Sequence, residues 1–486
     1  MTINLNELKA KYNSLPRPVI ASFWFLICAF LQKGIQLIST PIITRLLTSE
    51  EFGQYSVFDS WLKILTIFIT LQLYSGVYAQ GLIKYSHDRN IFSSSLQGLT
   101  LSLTVAWSII YLLFRHFWNE LFSLTTVQML SMLAMMWATS VFCFWSSEQR
   151  VQYKFKSLVT ITLIVSFGKP IVGIIFIILS KNKVTAYILS LAIVEFIGYI
   201  VFFFIQINRG KKFYSKKYWL YAIGFNLPLI GHYLAQNVLN CSDRIMIKYM
   251  VDDSKAGIYS LAYSISQIMI LFNTAMMQTI SPWIYQKIKE KKVKDISQIA
   301  YLALMIIAVV NIALIAVAPE AVVFFAPKQY HEAIWVIPPV AMSVIFQFSY
   351  DLFAKFEFYY EKTKWIMIAS VSCALLNMLL NYFFIDKFGY VSAAYTTLIC
   401  YILYSFFNYL FMRKVCIIHL DSIKVYEPQK LLHIYILFLI ISFLVMSTYN
   451  CYLIRYSIII TSLIIVLIKH KNIKEYLFKI VRIRIN

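Results

Sequence analysis

Lys33, Lys169 and Glu195 each stand near the middle of a long apolar run. A charge at the centre of a bilayer costs about 2.5–3.5 kcal/mol on insertion scales, and such groups usually face a bundle interior or a wet cavity. Snorkelling serves side chains near helix ends, and none of the three is near one. Two polar stripes accompany them. Lys33, Gln36, Thr40 and Thr44 recur at helical spacing, as do His232, Gln236, Asn240 and Asp243, with Arg244 beside the last. Residues three and four apart share one helical face, so each stripe can offer ammonium, amide, imidazole or hydroxyl groups to a polar guest. One stripe alone would also read as interhelical glue. Two of them suggest a hydrophilic groove whose chemistry is binding by charge and hydrogen bond. Glu195 and Asp243 add carboxylates suited to ion or proton coupling. Asp59 is a third such candidate, although with Lys63 four residues on it reads equally well as an ordinary pair at the headgroups.

Covalent chemistry has no such support. The chain has no phosphate-binding glycine loop, no HExxH and no nucleophile elbow, so no catalytic residue and no cofactor is expected. His232 lacks a partner at ligand spacing, and the seven Cys residues show no CxxC or Cys/His pattern, so no metal site is expected either. Cys28, Cys143, Cys373 and Cys400 lie in apolar runs and read as small buried hydrophobes. Asp252 and Asp253 read as a loop or helix-start pair rather than as general acid and base. A membrane transferase or polymerase would carry a sizeable external catalytic loop, yet the longest outer connections, near 43–57, 243–257 and 319–332, are short.

The elements that must hold these groups follow from composition. Of the 486 residues 60% are apolar and 14% charged, with a mean hydropathy of +0.69. At about 20 apolar residues per crossing, this supplies about fourteen transmembrane helices. It excludes both a soluble enzyme and a disordered chain. Apolar runs place the spans near 19–43, 57–82, 92–114, 121–145, 158–180, 184–206, 219–242, 258–285, 297–318, 333–354, 364–385, 391–411, 431–449 and 451–468. Only Thr448 to Tyr452 separate the last two, so whether both cross is open. The first run is too long for a signal segment and should remain as a span. The net charge of +22 would suggest nucleic acid in a soluble protein, but here it reads as topology. With a cytoplasmic N-terminus, Lys and Arg on the inner side outnumber those outside by about three to one, as the positive-inside rule requires. Both termini are then cytoplasmic.

Arg45 to Ser56 and Lys248 to Ser260 each place a basic residue, an acidic pair and Gly-x-Tyr-Ser at the start of a helix. Six spans separate the copies, and an even number preserves orientation, as in parallel repeats. The expected architecture is all-α: an N-terminal segment 1–18, a six-helix lobe 19–206, a basic linker 207–218, a second lobe 219–411, a linker with two appended helices 412–468, and a basic tail 469–486. The two lobes would surround a central cavity.

Three blocks resemble a known family. Asn226-Leu-Pro-Leu-Ile-Gly-His with Asn240-Cys-Ser-Asp-Arg-Ile-Met-Ile-Lys and Gly257-Ile-Tyr-Ser-Leu-Ala-Tyr263 is similar to the seventh-span signature of bacterial polysaccharide repeat-unit flippases (Wzx type). Tyr359-Tyr-Glu-Lys-Thr-Lys-Trp365, Asn377-Met-Leu-Leu-Asn381 and Phe388-Gly-Tyr-Val-Ser-Ala-Ala394 resemble its spans eleven and twelve. The opening Arg45-Leu-Leu with Glu51-Phe-Gly-Gln-Tyr55 is similar too. Gly389 and Ala393 suit a small-xxx-small helix contact, and Asn377 and Asn381 share a face as helix glue.

The resemblance implies a member of the multidrug/oligosaccharidyl-lipid/polysaccharide exporter superfamily in the bacterial cytoplasmic (inner) membrane. It implies alternating access and an undecaprenyl-diphosphate-linked oligosaccharide as substrate, turned outward for O-antigen or other surface polysaccharide. A polysaccharide polymerase and a chain-length regulator are the implied protein partners, and nucleic acid is not. Lys33, Lys169 and Arg244 are then candidates to pair with the diphosphate, while Gln36, Thr40, His232, Gln236 and Asn240 line the cavity. The alternatives are a cation-coupled multidrug exporter of the same fold and, less favoured, a membrane polymerase or transferase.

Overall fold

The computed structural model describes residues 17–420, 423–451, 453 and 455–457. Among the described residues there are seventeen α-helices and no strand, and eleven of the helices are long and apolar enough to cross a membrane. The chain divides into two compact units, one up to Leu234 and one from Ala235.

The first unit holds α1 (Arg17–Leu46), α2 (Ser49–Thr70), α3 (Val77–Lys84), α4 (Arg89–Leu113), α5 (Arg115–Phe122), α6 (Thr126–Val151), α7 (Phe155–Leu179), α8 (Lys183–Gly210) and α9 (Lys216–Asn226). Helix α10 (Ile230–Met250) carries the chain into the second unit. That unit continues with α11 (Asp253–Lys289), α12 (Lys294–Ala316), α13 (Ala318–Phe325), α14 (Ala333–Tyr359), α15 (Thr363–Phe388), α16 (Ser392–His419) and α17 (Pro428–Ser447). The order of elements repeats. In each unit a short helix, α5 or α13, follows the third span and precedes α6 or α14, the most buried span of its unit. Helix α6 packs on α8, with Trp137, Trp145, Tyr199 and Phe202 in their shared core. Helix α14 packs between α11 and α16.

Local sequence explains the helix starts. Thr48 caps α2 in a capping box with Glu51, which accounts for the acidic residues of the Arg45 block. Asp252 accepts from the Lys255 amide at 2.6 Å and caps α11, while Asp253 faces Lys248 at 3.8 Å. The acidic pair is therefore a helix start.

Eleven expected spans coincide with helices, and two are interrupted. The second breaks at 71–76, where Leu71 (φ 50°), Gln72 (φ 45°) and Gly76 (φ 59°) all have positive φ, uncommon for the two that carry side chains. The seventh bends through a single 3-10 turn at Leu227–Leu229. Gln72, Ser75 and Gly76 at the first site and Asn226 and Pro228 at the second lie inside otherwise apolar stretches, too few to split a span by hydropathy alone. The fourteenth span lies almost wholly outside the described residues, as do the N-terminal segment and the basic tail.

Asn226 joins the two irregular sites. Its side-chain amide donates to the carbonyls of Leu71 at 2.9 Å and Gln72 at 2.8 Å, groups the break frees from helical bonding. At Gly76 a Cβ would lie 3.3 Å from the Tyr233 hydroxyl, on a backbone already left-handed. Asn226→Ala removes the side-chain donor to the Leu71 carbonyl and one of two donors to the Gln72 carbonyl, which keeps the Ser75 N–H at 2.8 Å, at about 1–3 kcal/mol for a buried polar group. The variant is expected to melt at lower temperature and accumulate less. Gly224→Ala, where a Cβ meets open space, should match wild type in both measurements.

One expected contact is corrected. Gly389 does not pack in a small-xxx-small seam. It follows the last residue of α15 at φ 76° with open space around it, so it terminates a helix. Ala393, by contrast, is fully buried in the first turn of α16.

Candidate functional site

In the first unit, charges predicted on separate spans meet. The Lys169 ammonium on α7 donates to the Glu195 carboxylate on α8, and the Thr139 hydroxyl on α6 donates to the other carboxylate oxygen at 2.9 Å. Glu195 is buried, whereas a third of the Lys169 side chain (33%) remains exposed. The pair thus has a closed carboxylate end and an open ammonium end.

The α1 stripe is divided in its behaviour. Lys33 donates to Gln36 at 3.3 Å, and both side chains are exposed. Thr40 and Thr44 are buried, and their hydroxyls donate back to the carbonyls of Gln36 (2.8 Å) and Pro41 (3.2 Å). Their protons serve the helix itself. On α2, Asp59 accepts from Lys63 at 2.5 Å, the ordinary pair its spacing allows. Tyr55, from the Gly-x-Tyr-Ser block, packs edge-on against Tyr187 with ring centres 4.8 Å apart.

His232 is half-buried near the start of α10, its ring centre 6.1 Å from that of Tyr233. Gln236 is exposed on the next turn. Further along α10 lies the most densely bonded polar centre of the second unit. Asp243 is fully buried and its carboxylate accepts from the Tyr259 hydroxyl (2.6 Å), the Asn381 amide (2.6 Å) and the Thr397 hydroxyl (3.0 Å). Asn381 also donates to Asn377 at 3.3 Å and accepts from Thr396. Helices α10, α11, α15 and α16 are tied together through one carboxylate. Asn240 accepts from Tyr263 and Tyr401, each at 3.2 Å. The Arg244 guanidinium is buried, lies 4.3 Å from the Tyr263 ring centre and donates to the Asn240 carbonyl at 3.1 Å.

Sequence reasoning selected Asn240, Asp243 and Arg244 but left out Tyr259, Tyr263, Thr397 and Tyr401, and it treated Asn377 and Asn381 only as glue. The signal was present. Tyr259 and Tyr263 stand in the Gly257-Ile-Tyr-Ser-Leu-Ala-Tyr263 block, and Asn381 and Thr397 close to or inside the second block. Among the described residues, no three His, Cys, Asp or Glu side chains converge as metal ligands.

Helix α11 is anchored at its start by Lys255. It donates to Glu332 at 2.6 Å, as does Tyr390 at 2.6 Å. The Lys255 hydrogen bond, and then that of Tyr390, hold the Glu332 carboxyl below the usual glutamate range.

Comparison with known proteins gives this arrangement a family. Residues 21–288, more than half of the chain, match the family described as polysaccharide biosynthesis protein. The chain belongs to that family. Residues 228–383 also match the MatE family. A membrane protein of Haemophilus influenzae without an assigned function is 21% identical over 367 residues, covering 73% of this chain and 87% of its own. Among solved structures, the lipid II flippase MurJ in an inward closed conformation superposes with a TM-score of 0.64 at 16% identity. It covers 90% of this chain and 99% of its own. An inward-facing multidrug resistance MATE transporter of the MOP superfamily gives 0.60 at 12%, over 79% and 94%. This member of the polysaccharide biosynthesis family is a multi-pass membrane protein with the MurJ/MATE fold.

Proposed function

We propose that the protein is a flippase for polyprenyl-diphosphate-linked oligosaccharides. It turns them from the cytoplasmic to the outer leaflet of a bacterial inner membrane for O-antigen or other surface polysaccharide assembly. The observation that carries this reading is the pairing of family with charge: a polysaccharide biosynthesis protein keeps Lys33, Lys169 and Arg244 on its spans. Lys33 and Lys169 retain exposure, and a diphosphate is the anion they would meet. The likeness to a lipid II flippase supports the fold such a task needs.

The chemistry explains the need for a protein. Each sugar hydroxyl or amide costs about 4–8 kcal/mol to enter a hydrocarbon-like phase without a partner. Side chains such as Gln36, His232, Gln236 and Asn240 replace part of the lost water. An inside-negative potential favours outward movement of an anion by about 2.3 kcal/mol per charge per 100 mV.

Of the three acidic candidates for coupling, Asp59 and Glu195 are engaged with lysines. Asp243 takes its hydrogen bonds from neutral hydroxyl and amide donors, which an incoming cation or proton can displace, with the charge of the adjacent Arg244 acting on it as well. It is therefore the coupling group in this reading. The second reading, a multidrug exporter, draws on the MatE match, but a cavity for organic cations would favour acidic and aromatic groups over Lys33 and Lys169.

Deleting the gene is expected to trap lipid-linked repeat units on the inner leaflet and abolish surface polysaccharide. Complementation by Lys33→Ala, whose side chain is exposed, should restore protein level but not surface glycan. Single unlinked units on the cell surface after deletion would instead indicate a polymerase. An unchanged glycan with increased drug sensitivity would indicate the exporter.

A further inference from the structure

Glu357 lies two residues from the end of α14 and is fully buried. Neither carboxyl oxygen has a hydrogen-bond partner among the described residues, and none of their ion pairs includes it. Charged side chains on its own helix and on helices packed against it are committed elsewhere. On its own helix Asp351 and Lys355 face each other at 3.6 Å. On α11, Lys287 reaches Glu290 and Asp295, and at the start of α17 Lys430 reaches Glu427. From α16 the titratable side chain that interacts with Glu357 is Tyr404, while Arg413 of that helix lies against Tyr409.

The first unit also buries a glutamate near the end of a span, there with its partners in place. Helix α6 holds in its unit the place of α14, and Glu148 lies three residues from its end. The Glu148 carboxylate accepts from Gln206 at 2.9 Å and Gln152 at 3.2 Å, with Arg209 3.8 Å away. Gln206 and Arg209 stand on α8. Four residues beyond Glu357, at the spacing of Gln152 from Glu148, stands another acid, Glu361. Glu357 has no such donors among the described residues.

We propose that Glu357 is a proton-binding site, neutral in this conformation, which releases its proton to water when the inward end of α14 opens. A buried carboxylate without counter-charge or donor is not tolerated in an apolar interior and takes a proton instead. On opening, the O–H bond breaks, the proton passes to water, and the hydrated carboxylate remains. Closing reverses the step. Proton binding stands on the geometry alone, whereas its coupling to export rests on the transporter reading.

The test uses the full chain in lipid vesicles and infrared spectroscopy. At neutral pH the wild type should show a neutral-carboxyl C=O band that is lost in Glu357→Gln and retained in Glu148→Gln. Identical spectra for wild type and Glu357→Gln would overturn the proton site. In cells, Glu357→Gln should accumulate as wild type does, because the amide mimics the protonated form. Surface polysaccharide output should vary with medium pH in wild type and lose that dependence in the variant. A band lost in Glu357→Gln together with an unchanged pH response of glycan output would overturn the coupling and leave the flippase reading intact.

Discussion

Asp243→Asn is expected to leave the protein folded and at normal level in the membrane while abolishing export. The amide keeps the size of the carboxylate. The Tyr259 and Thr397 hydroxyls can rotate to accept as well as donate, so their bonds survive in altered form. What disappears is the negative charge that a cation or proton would bind. Asp243→Ala should behave differently. It leaves the Tyr259 hydroxyl, the Asn381 amide and the Thr397 hydroxyl facing an empty buried site. Each orphaned donor costs about 1–3 kcal/mol, and three together approach the 5–15 kcal/mol that typically hold a domain folded. Little Asp243→Ala protein should therefore reach the membrane. The two outcomes are separated by measuring membrane protein, melting temperature and surface glycan together. Normal export from Asp243→Asn would remove Asp243 as the coupling group and leave it as a structural tie between α10, α11, α15 and α16.

How far such a centre can be read from sequence depends on what is periodic and what is not. Helical spacing put Asn240, Asp243 and Arg244 near one another because that relation is local. It could not place Asn381 or Thr397 against Asp243, since both lie more than a hundred residues away on other helices. The same limit separated Lys169 from Glu195, which were assigned different roles although one binds the other. Span count was legible because the apolar runs and the positive-inside bias are independent signals that agree. The interruptions at 71–76 and 227–229 were not, because they are built by backbone angles and one amide, Asn226, within stretches whose few polar or helix-breaking residues leave the hydropathy of a span intact. Gly389 was misplaced for a related reason: small residues four apart occur both in seams and at helix ends, and only the backbone angle separates the two. Glu357 escaped notice because the span read from the apolar run ends at 354. The helix continues past it, and the glutamate is carried inside.

The Lys169–Glu195 pair permits a test that distinguishes binding from scaffolding. Removing one partner of a buried pair costs about 3–5 kcal/mol, mostly from the charge left behind. The two ends are unequal here. Lys169 is partly exposed, so in Glu195→Gln its long side chain can swing its ammonium toward the open side. Glu195 is buried and, in Lys169→Met, retains only the Thr139 hydroxyl at 2.9 Å. Lys169→Met should therefore accumulate poorly, with a cost near the lower end of that range because of the residual exposure, and Glu195→Gln should accumulate nearly as wild type. The double variant Lys169→Met/Glu195→Gln leaves no unpaired charge, and its membrane level should recover. Its export should not. If Lys169 meets the diphosphate of the substrate, no restored scaffold replaces its charge, and surface glycan stays absent at normal protein level. A double variant that exports normally would reduce the pair to a structural clasp between α7 and α8. Lys33 and Arg244 would then be the remaining cations to account for recognition of the diphosphate.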